Sequence, residues 1–212
     1  MGKSNWKDMR EFIAFCEEQG EVLRIKEEID PDWEVNGITR IVLQDLGPCL
    51  IFENVRGADY PLVTNLLTAD SRFLWSLGIE KWTDFNNEWM RRTEKLIPPV
   101  MVKDAPCQEE IIHEGDIDLD RICNVKWHQF DKRPFPGTLS ISITKDPDTG
   151  ALNAGIYRME TEKRNQLGWG APEYTHGRQH YMKYEERGIP MPMAVVTGVD
   201  PVVEIAGATR TP

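Results

Sequence analysis

The chain has 212 residues, 40% of them hydrophobic, enough to bury a core in one large domain or two small ones. It carries 35 acidic against 25 basic residues, a net charge of −10, with no Arg/Lys stripe interleaved with aromatics, which argues against nucleic acid as a partner. The longest apolar runs, such as Met193 to Val196, are too short to span a bilayer, and the first residues lack the apolar core of a signal peptide; a cytoplasmic location is expected.

Ser4 and Asn5 are candidate caps for a first helix with Trp6, Met9, Phe12, Ile13 and Cys16 on one face, stopped by Gly20. A strand follows from Val22 to Ile25. Asp30 and Pro31 start a second helix whose apolar stripe is Val35, Ile38, Ile41, Val42 and Leu46, ended by Gly47, and Leu50 to Phe52 read as a short buried strand. Ser71 is a candidate cap for a helix through Leu77, and Lys81 to Leu96 read as another, broken by Pro98 and Pro99. Trp6, Trp33, Trp75, Trp82 and Trp89 are assigned to packing rather than binding.

Beyond about Pro106 the pattern changes to short strands and turns, which predicts two domains, 1–105 and 106–212. Gly115 to Asp118 make a turn. Leu139, Ile141 and Ile143 alternate with Ser140, Ser142 and Thr144 as a half-buried strand should, and Asp146 to Gly150 are turn formers. A hairpin of 138–144 with 152–159 follows, bringing an amide, Asn153, and a buried-looking arginine, Arg158, toward one place. Gly155 leaves room for a ligand or another backbone to approach. Asn153 and Arg158 have opposite parity, so a bulge or end-of-strand twist near Gly155 is predicted. After a polar connection come a helix from Gln179 to Arg187, a strand from Met193 to Thr197, and a helical piece from Pro201.

Cys16, Cys49, Cys107 and Cys123 are scattered without a CxxC pair and read as free thiols; for Cys107 a structural role outweighs a chemical one. His176 and His180 stand four apart, a spacing that on a helix invites a zinc-hydrolase reading. Gly177 occupies the position where such a site needs a glutamate base, and His176 is expected to begin the helix rather than sit within it, with His180 on the helix face near the site.

Taken in order, APCQE (105–109), EGDIDLDRI (114–122), KDPDTGALNAGIYRM (145–159) and HGRQH (176–180), followed by GIPMPMAVVTGVDP, resemble the UbiD family of reversible non-oxidative decarboxylases across essentially the whole chain. The resemblance implies an α+β protein, an amino-terminal α/β region followed by an incomplete flavin-reductase-like split β-barrel. It implies prenylated FMN with Mn2+ and K+ beside its phosphate. It places Asn153 and His176 as metal ligands and Arg158 as the catalytic arginine. It also places Ile156, Tyr157, Arg158, Pro172, Glu173, Tyr174, Gly177 and Arg178 on the cofactor. The implied substrate is an aromatic, heteroaromatic or α,β-unsaturated carboxylic acid, decarboxylated through a covalent adduct with the cofactor, which a flavin prenyltransferase supplies.

The chain stops at Pro212, before the family's third metal ligand and its proton-donor glutamate. The expectation is therefore an amino-terminal part, inactive alone, of an enzyme that is a homo-oligomer when complete. The alternative is a non-catalytic cofactor-binding or split-enzyme subunit completed by a carboxy-terminal partner chain.

Overall fold

The structure, a computed structural model, describes residues 6–94 and 97–209. Helix α1 (Met9–Glu18) is capped by Asp8, whose carboxylate accepts the Glu11 N–H at 3.0 Å. The predicted caps Ser4 and Asn5 lie outside the described residues. Strand β1 (Val22–Ile25) pairs in parallel with β2 (Cys49–Phe52) across the crossover helix α2 (Glu34–Gln44), and β2 pairs antiparallel with β3 (Leu62–Thr64), a strand too short to show in the pattern.

All four residues of β2 are buried, and their alternation builds two cores. Leu50 and Phe52 meet Val35, Val55 and Val125 on one face; Cys49 and Ile51 meet Phe12, Ile13 and Cys16 on the other. Burial pushes the Cys16 thiol up to about 11 and the Cys49 thiol up to about 12, so both are inert protonated groups. The stripe predicted for α2 is only partly buried. Ile41 and Leu46 face solvent, while Val35 and Thr39 turn inward and the Thr39 hydroxyl meets that of Thr64 at 3.0 Å.

Helix α3 (Asp70–Ser76) takes Ala69 as its N-cap residue, so Ser71 lies inside the helix, contrary to expectation. It carries Arg72, fully buried, whose guanidinium bonds to Glu21, to the Leu66, Gly47 and Asn65 carbonyls and to the Thr68 hydroxyl. Helix α4 (Trp82–Thr93) ends before the predicted boundary; Leu96 is outside the described residues. Trp6 and Trp75 pack as expected, whereas Trp33 and Trp82 remain nearly half exposed.

The second half builds an antiparallel sheet in the order β5 (Leu152–Ile156), β4 (Ile141–Lys145), β8 (Met193–Val196), with a separate hairpin of β6 (Arg158–Lys163) and β7 (Gln166–Gly170). The predicted β4–β5 hairpin is present. The Asp146 carboxylate accepts the Asp148 and Thr149 N–H groups at 2.8 and 3.3 Å, and Gly150 takes φ +76° to close the turn. The β6–β7 hairpin falls in what reads from sequence as a polar connection. Among the described residues the sheets stay open and do not close into a barrel.

Helix α5 (His176–Glu186) covers β4 and β5, and α6 (Pro201–Ala208) packs on β5. Both faces of β4 are covered, which overturns the half-buried reading. Ser140, Ser142 and Thr144 are more buried than Leu139, and their hydroxyls meet the Thr197 hydroxyl, the Trp169 indole N–H and His180 Nδ1 at 2.9, 3.2 and 3.0 Å. Among the described residues no helix is long and apolar enough to cross a membrane.

Candidate active site

Tyr157 organises the predicted site. It is the single residue between β5 and β6, where the chain leaves the three-stranded sheet for the two-stranded one. Its ring is buried, with its centroid 5.0 Å from that of Trp169, and its hydroxyl reaches the first turn of α5. There the Gly177 N–H donates to the phenol oxygen at 3.0 Å and the Asn153 side-chain amide donates to the same oxygen at 3.4 Å. One hydroxyl thus ties the strand that carries Asn153 to the helix end that carries His176. With its nitrogen turned to Tyr157, Asn153 keeps its carbonyl oxygen for another partner.

Gly155 and Gly177 make room for this ring. A Cβ would lie 2.8 Å from a Tyr157 ring carbon at Gly155, and 2.6 Å from the hydroxyl at Gly177. The close approach predicted at Gly155 is made by a tyrosine side chain of the same strand segment, not by a ligand or a second backbone. Of the two alternatives predicted near Gly155 no bulge is present, since β5 keeps unbroken register with β4 from Ile156 opposite Ile141 to Leu152 opposite Lys145; the strand instead ends at Ile156. The parity conflict between Asn153 and Arg158 is resolved by the change of sheet at Tyr157.

Arg158 is half exposed, not buried. Its guanidinium carbon lies 4.0 Å from the Phe135 ring centroid and one nitrogen is 3.7 Å from Asp131, a contact too long for a hydrogen bond. Asp131 is itself fixed, accepting the Trp127 and His128 N–H groups at 3.0 and 2.8 Å. An aromatic face therefore supports the arginine fork while leaving its donors open to a carboxylate. Sequence reasoning missed both supports, because neither Phe135 nor Asp131 lies within a recognisable motif.

Pro172, Glu173 and Tyr174 form an exposed turn in which the Thr175 hydroxyl donates to the Pro172 carbonyl at 2.7 Å. His176 opens α5 and is exposed, as expected of a helix start. Arg178 is half-buried, stacks its guanidinium 4.7 Å from the Tyr181 ring centroid, and keeps a buried Nε with no partner. A helix N-terminus with an unsatisfied arginine nitrogen suits a phosphate, and an amide oxygen and an exposed imidazole are donor types that suit a divalent cation. The donor set fits the cofactor implied by the resemblance. Among the described residues no group of three or more His, Cys, Asp or Glu could hold a metal.

His180 lies one turn beyond His176 on α5. It is buried, with Nδ1 3.0 Å from the Thr144 hydroxyl and Nε2 3.8 Å from Asp146, and burial lowers its pKa against the opposing pull of Asp146. Asp146 is held near pKa 2, first by the Lys183 ammonium at 2.6 Å and then by the Asp148 N–H. Lys183 and Asp146 thus latch α5 to the hairpin tip, a pairing 37 residues apart that no local signal announces. His176 stands one turn away on the same helix and its charge also lowers the His180 pKa, but the His180 ring already faces Thr144 and Asp146.

Two cavities flank the region. The larger, about 970 Å³, lies between the two halves and is lined by Thr39, Asn65, Asp118, Ile122, Leu139 and Glu204 among others; the smaller, about 390 Å³, includes Ile156. Asn153, Arg158 and His176 line neither of these two. Cys107 lines the larger one and is exposed.

The mixed helix and sheet architecture is that of solved UbiD-class enzymes. Residues 13–89 match the 3-octaprenyl-4-hydroxybenzoate carboxy-lyase N-terminal domain and residues 99–212 match the Rift-related domain of the same enzymes. The chain belongs to the UbiD family. It is 30% identical to the uncharacterized protein sll0936 of Synechocystis over 97% of its own length and 46% of that protein. Vanillic acid decarboxylase of Sedimentibacter hydroxybenzoicus, in closed form, superposes with a TM-score of 0.90 at 28% identity, over 96% of this chain and 45% of that one. The UbiD-class enzyme HmfF of Pelotomaculum thermopropionicum, in complex with FMN, gives 0.88 at 30% identity, over 96% and 46%. The chain thus spans about half the length of these relatives.

Proposed function

We propose that the chain is the amino-terminal part of a reversible non-oxidative decarboxylase acting on an aromatic, heteroaromatic or α,β-unsaturated carboxylic acid. The supporting observation is the Tyr157 hydroxyl, which joins the Asn153 strand to the helix end bearing His176, Gly177 and Arg178. Relatives of this fold have been solved with FMN and with prenylated FMN. In this reading domains 1–105 and 106–212 belong to a cytoplasmic homo-oligomer, and the second forms a split barrel once further strands are present.

Bound prenylated FMN would supply the electron sink that loss of carbon dioxide from an sp² carbon requires. The residues of this chain bind and orient. Arg178 and the start of α5 would hold the phosphate, and Asn153 and His176 would be ligands to Mn2+, with K+ beside it. Ile156, Tyr157, Pro172, Glu173 and Tyr174 would supply further contacts to the cofactor. The Arg158 fork, supported by Phe135, orients the substrate carboxylate. A flavin prenyltransferase supplies the cofactor.

A second reading is a cofactor-binding subunit completed by a carboxy-terminal partner chain. The exposure of both Arg158 and His176 favours it, since a decarboxylation site excludes water. Mn2+ titration followed by paramagnetic relaxation tests the shared core of both readings. Wild-type chain is expected to bind and His176→Ala to lose binding; equal binding by both would reject the site. Deuterium exchange on vanillic acid and other unsaturated acids, with prenylated FMN and the carboxy-terminal half of a relative added in trans, separates the two. Exchange only with that half present supports the enzyme-part reading, and no exchange with the assembled, cofactor-loaded pair favours a binding subunit.

A further inference from the structure

The smaller cavity opens where α3 and α4 meet β5 and α6. Phe73, Phe85 and Trp89 form one wall, with the Phe85 and Trp89 rings stacked at 5.7 Å, and Ile156 and Ile205 form the other. The Thr209 hydroxyl at its edge is already committed to the Ile205 carbonyl at 2.7 Å. Glu204, which also borders the larger cavity, is the one ionisable group in this lining. It is 5% exposed, and its Oε2 is buried without a hydrogen-bond partner among the described residues. The carboxyl is thus the single polar feature of an otherwise apolar wall, and a cavity of about 390 Å³ is large enough for a small ligand.

We propose that this cavity is a binding site for a flat aromatic molecule bearing one hydroxyl, a phenol or naphthol, with its rings against Phe85 and Trp89 and its hydroxyl on Glu204. The shape of the lining selects the class. Stacked rings favour a planar partner, and an otherwise apolar wall with a single carboxyl admits one polar substituent and penalises a second. A hydroxyl both donates and accepts, so it can satisfy Glu204 whether that group is protonated or not. Burial, with Asp200 adding to it, pushes the Glu204 carboxyl up to about 7, so both forms are present near neutrality. Only Ile156 is shared with the proposed flavin strip, and occupancy of the cavity does not require a flavin.

Isothermal titration of the 212-residue chain with 2-naphthol, naphthalene and 2-methoxynaphthalene at one fixed pH tests the site. 2-Naphthol is expected to bind about tenfold more tightly than naphthalene, the worth of one hydrogen bond to a buried carboxyl. Glu204→Leu, which removes the buried acid and keeps the volume, should abolish that preference while retaining naphthalene binding. Ala208→Phe, filling the cavity from α6, should abolish binding of all three. Equal affinity for 2-naphthol and naphthalene in the wild type, a preference that survives Glu204→Leu, or binding untouched by Ala208→Phe would each overturn the proposal, as would failure of all three compounds to bind.

Discussion

The Tyr157 oxygen lies 3.0 Å from the Gly177 backbone nitrogen, and that contact fixes the first turn of α5 against the end of β5. Removing the hydroxyl leaves a buried N–H without a partner. Tyr157→Phe is expected to cost about 1–2 kcal/mol in urea unfolding and to weaken Mn2+ binding at least several-fold, although Tyr157 is no ligand. Unchanged metal affinity in a folded variant would separate Tyr157 from the site.

Thr144 and His180 form a second buried pair. Thr144→Val keeps the shape but strands His180 Nδ1, with an expected loss of about 1–2 kcal/mol. Because burial lowers the His180 pKa below its ordinary 6.5, the neutral ring is the form the fold prefers. Its contribution is therefore complete above pH 6.5 and is lost as pH falls through the lower folded value. The imidazole proton resonance should titrate below 6.5 in the wild type, and a midpoint above that value would contradict the burial argument.

Glu204 has the opposite sign. Its pKa rises from an ordinary 4.5 to about 7, so the stability linked to its protonated form is present below pH 4.5 and is lost as pH rises through about 7. Glu204→Gln, permanently neutral, should flatten the fall in urea midpoint between pH 5 and 8, by at most about 3 kcal/mol. Parallel pH profiles for the two proteins would refute the raised pKa.

Arg72 anchors the first half. Arg72→Met removes a fully buried charge that serves Glu21 and three carbonyls, and an expected loss of about 3–5 kcal/mol should appear as a lowered unfolding midpoint. A loss below about 1 kcal/mol would mean that the carbonyls find other donors.

The sequence announces what depends on near neighbours. The Asp146 to Gly150 turn and the β1 boundaries follow from turn chemistry and alternation and are where expected, while α5 opens at His176, as expected from the histidine spacing and three residues before the Gln179 start read from the pattern. Its family motifs likewise mark Asn153, Tyr157 and Gly177, which the structure brings together. What the pattern conceals is set by distant partners. Arg158 reads as buried, yet its surroundings are decided by Phe135 and Asp131. The outward turn of Ile41 and Leu46 follows from α2 seating on Val35 and Thr39, a choice made by the sheet beneath it. The hydroxyl face of β4 reads as solvent-facing because alternation reports polarity, not coverage, and the cover arrives from β7, α5 and the segment after β8.

That hydroxyl face also decides how the strand can mispair. A slip of two residues between β4 and its neighbours preserves the in-and-out order of every side chain, so oil-and-water sorting alone would accept it. Ser140, Ser142 and Thr144 are matched to three different partners, Thr197, Trp169 and His180, and a shift of two positions breaks all three matches at once. The three hydroxyls act as a key, rejecting an alignment that greasy packing would let through.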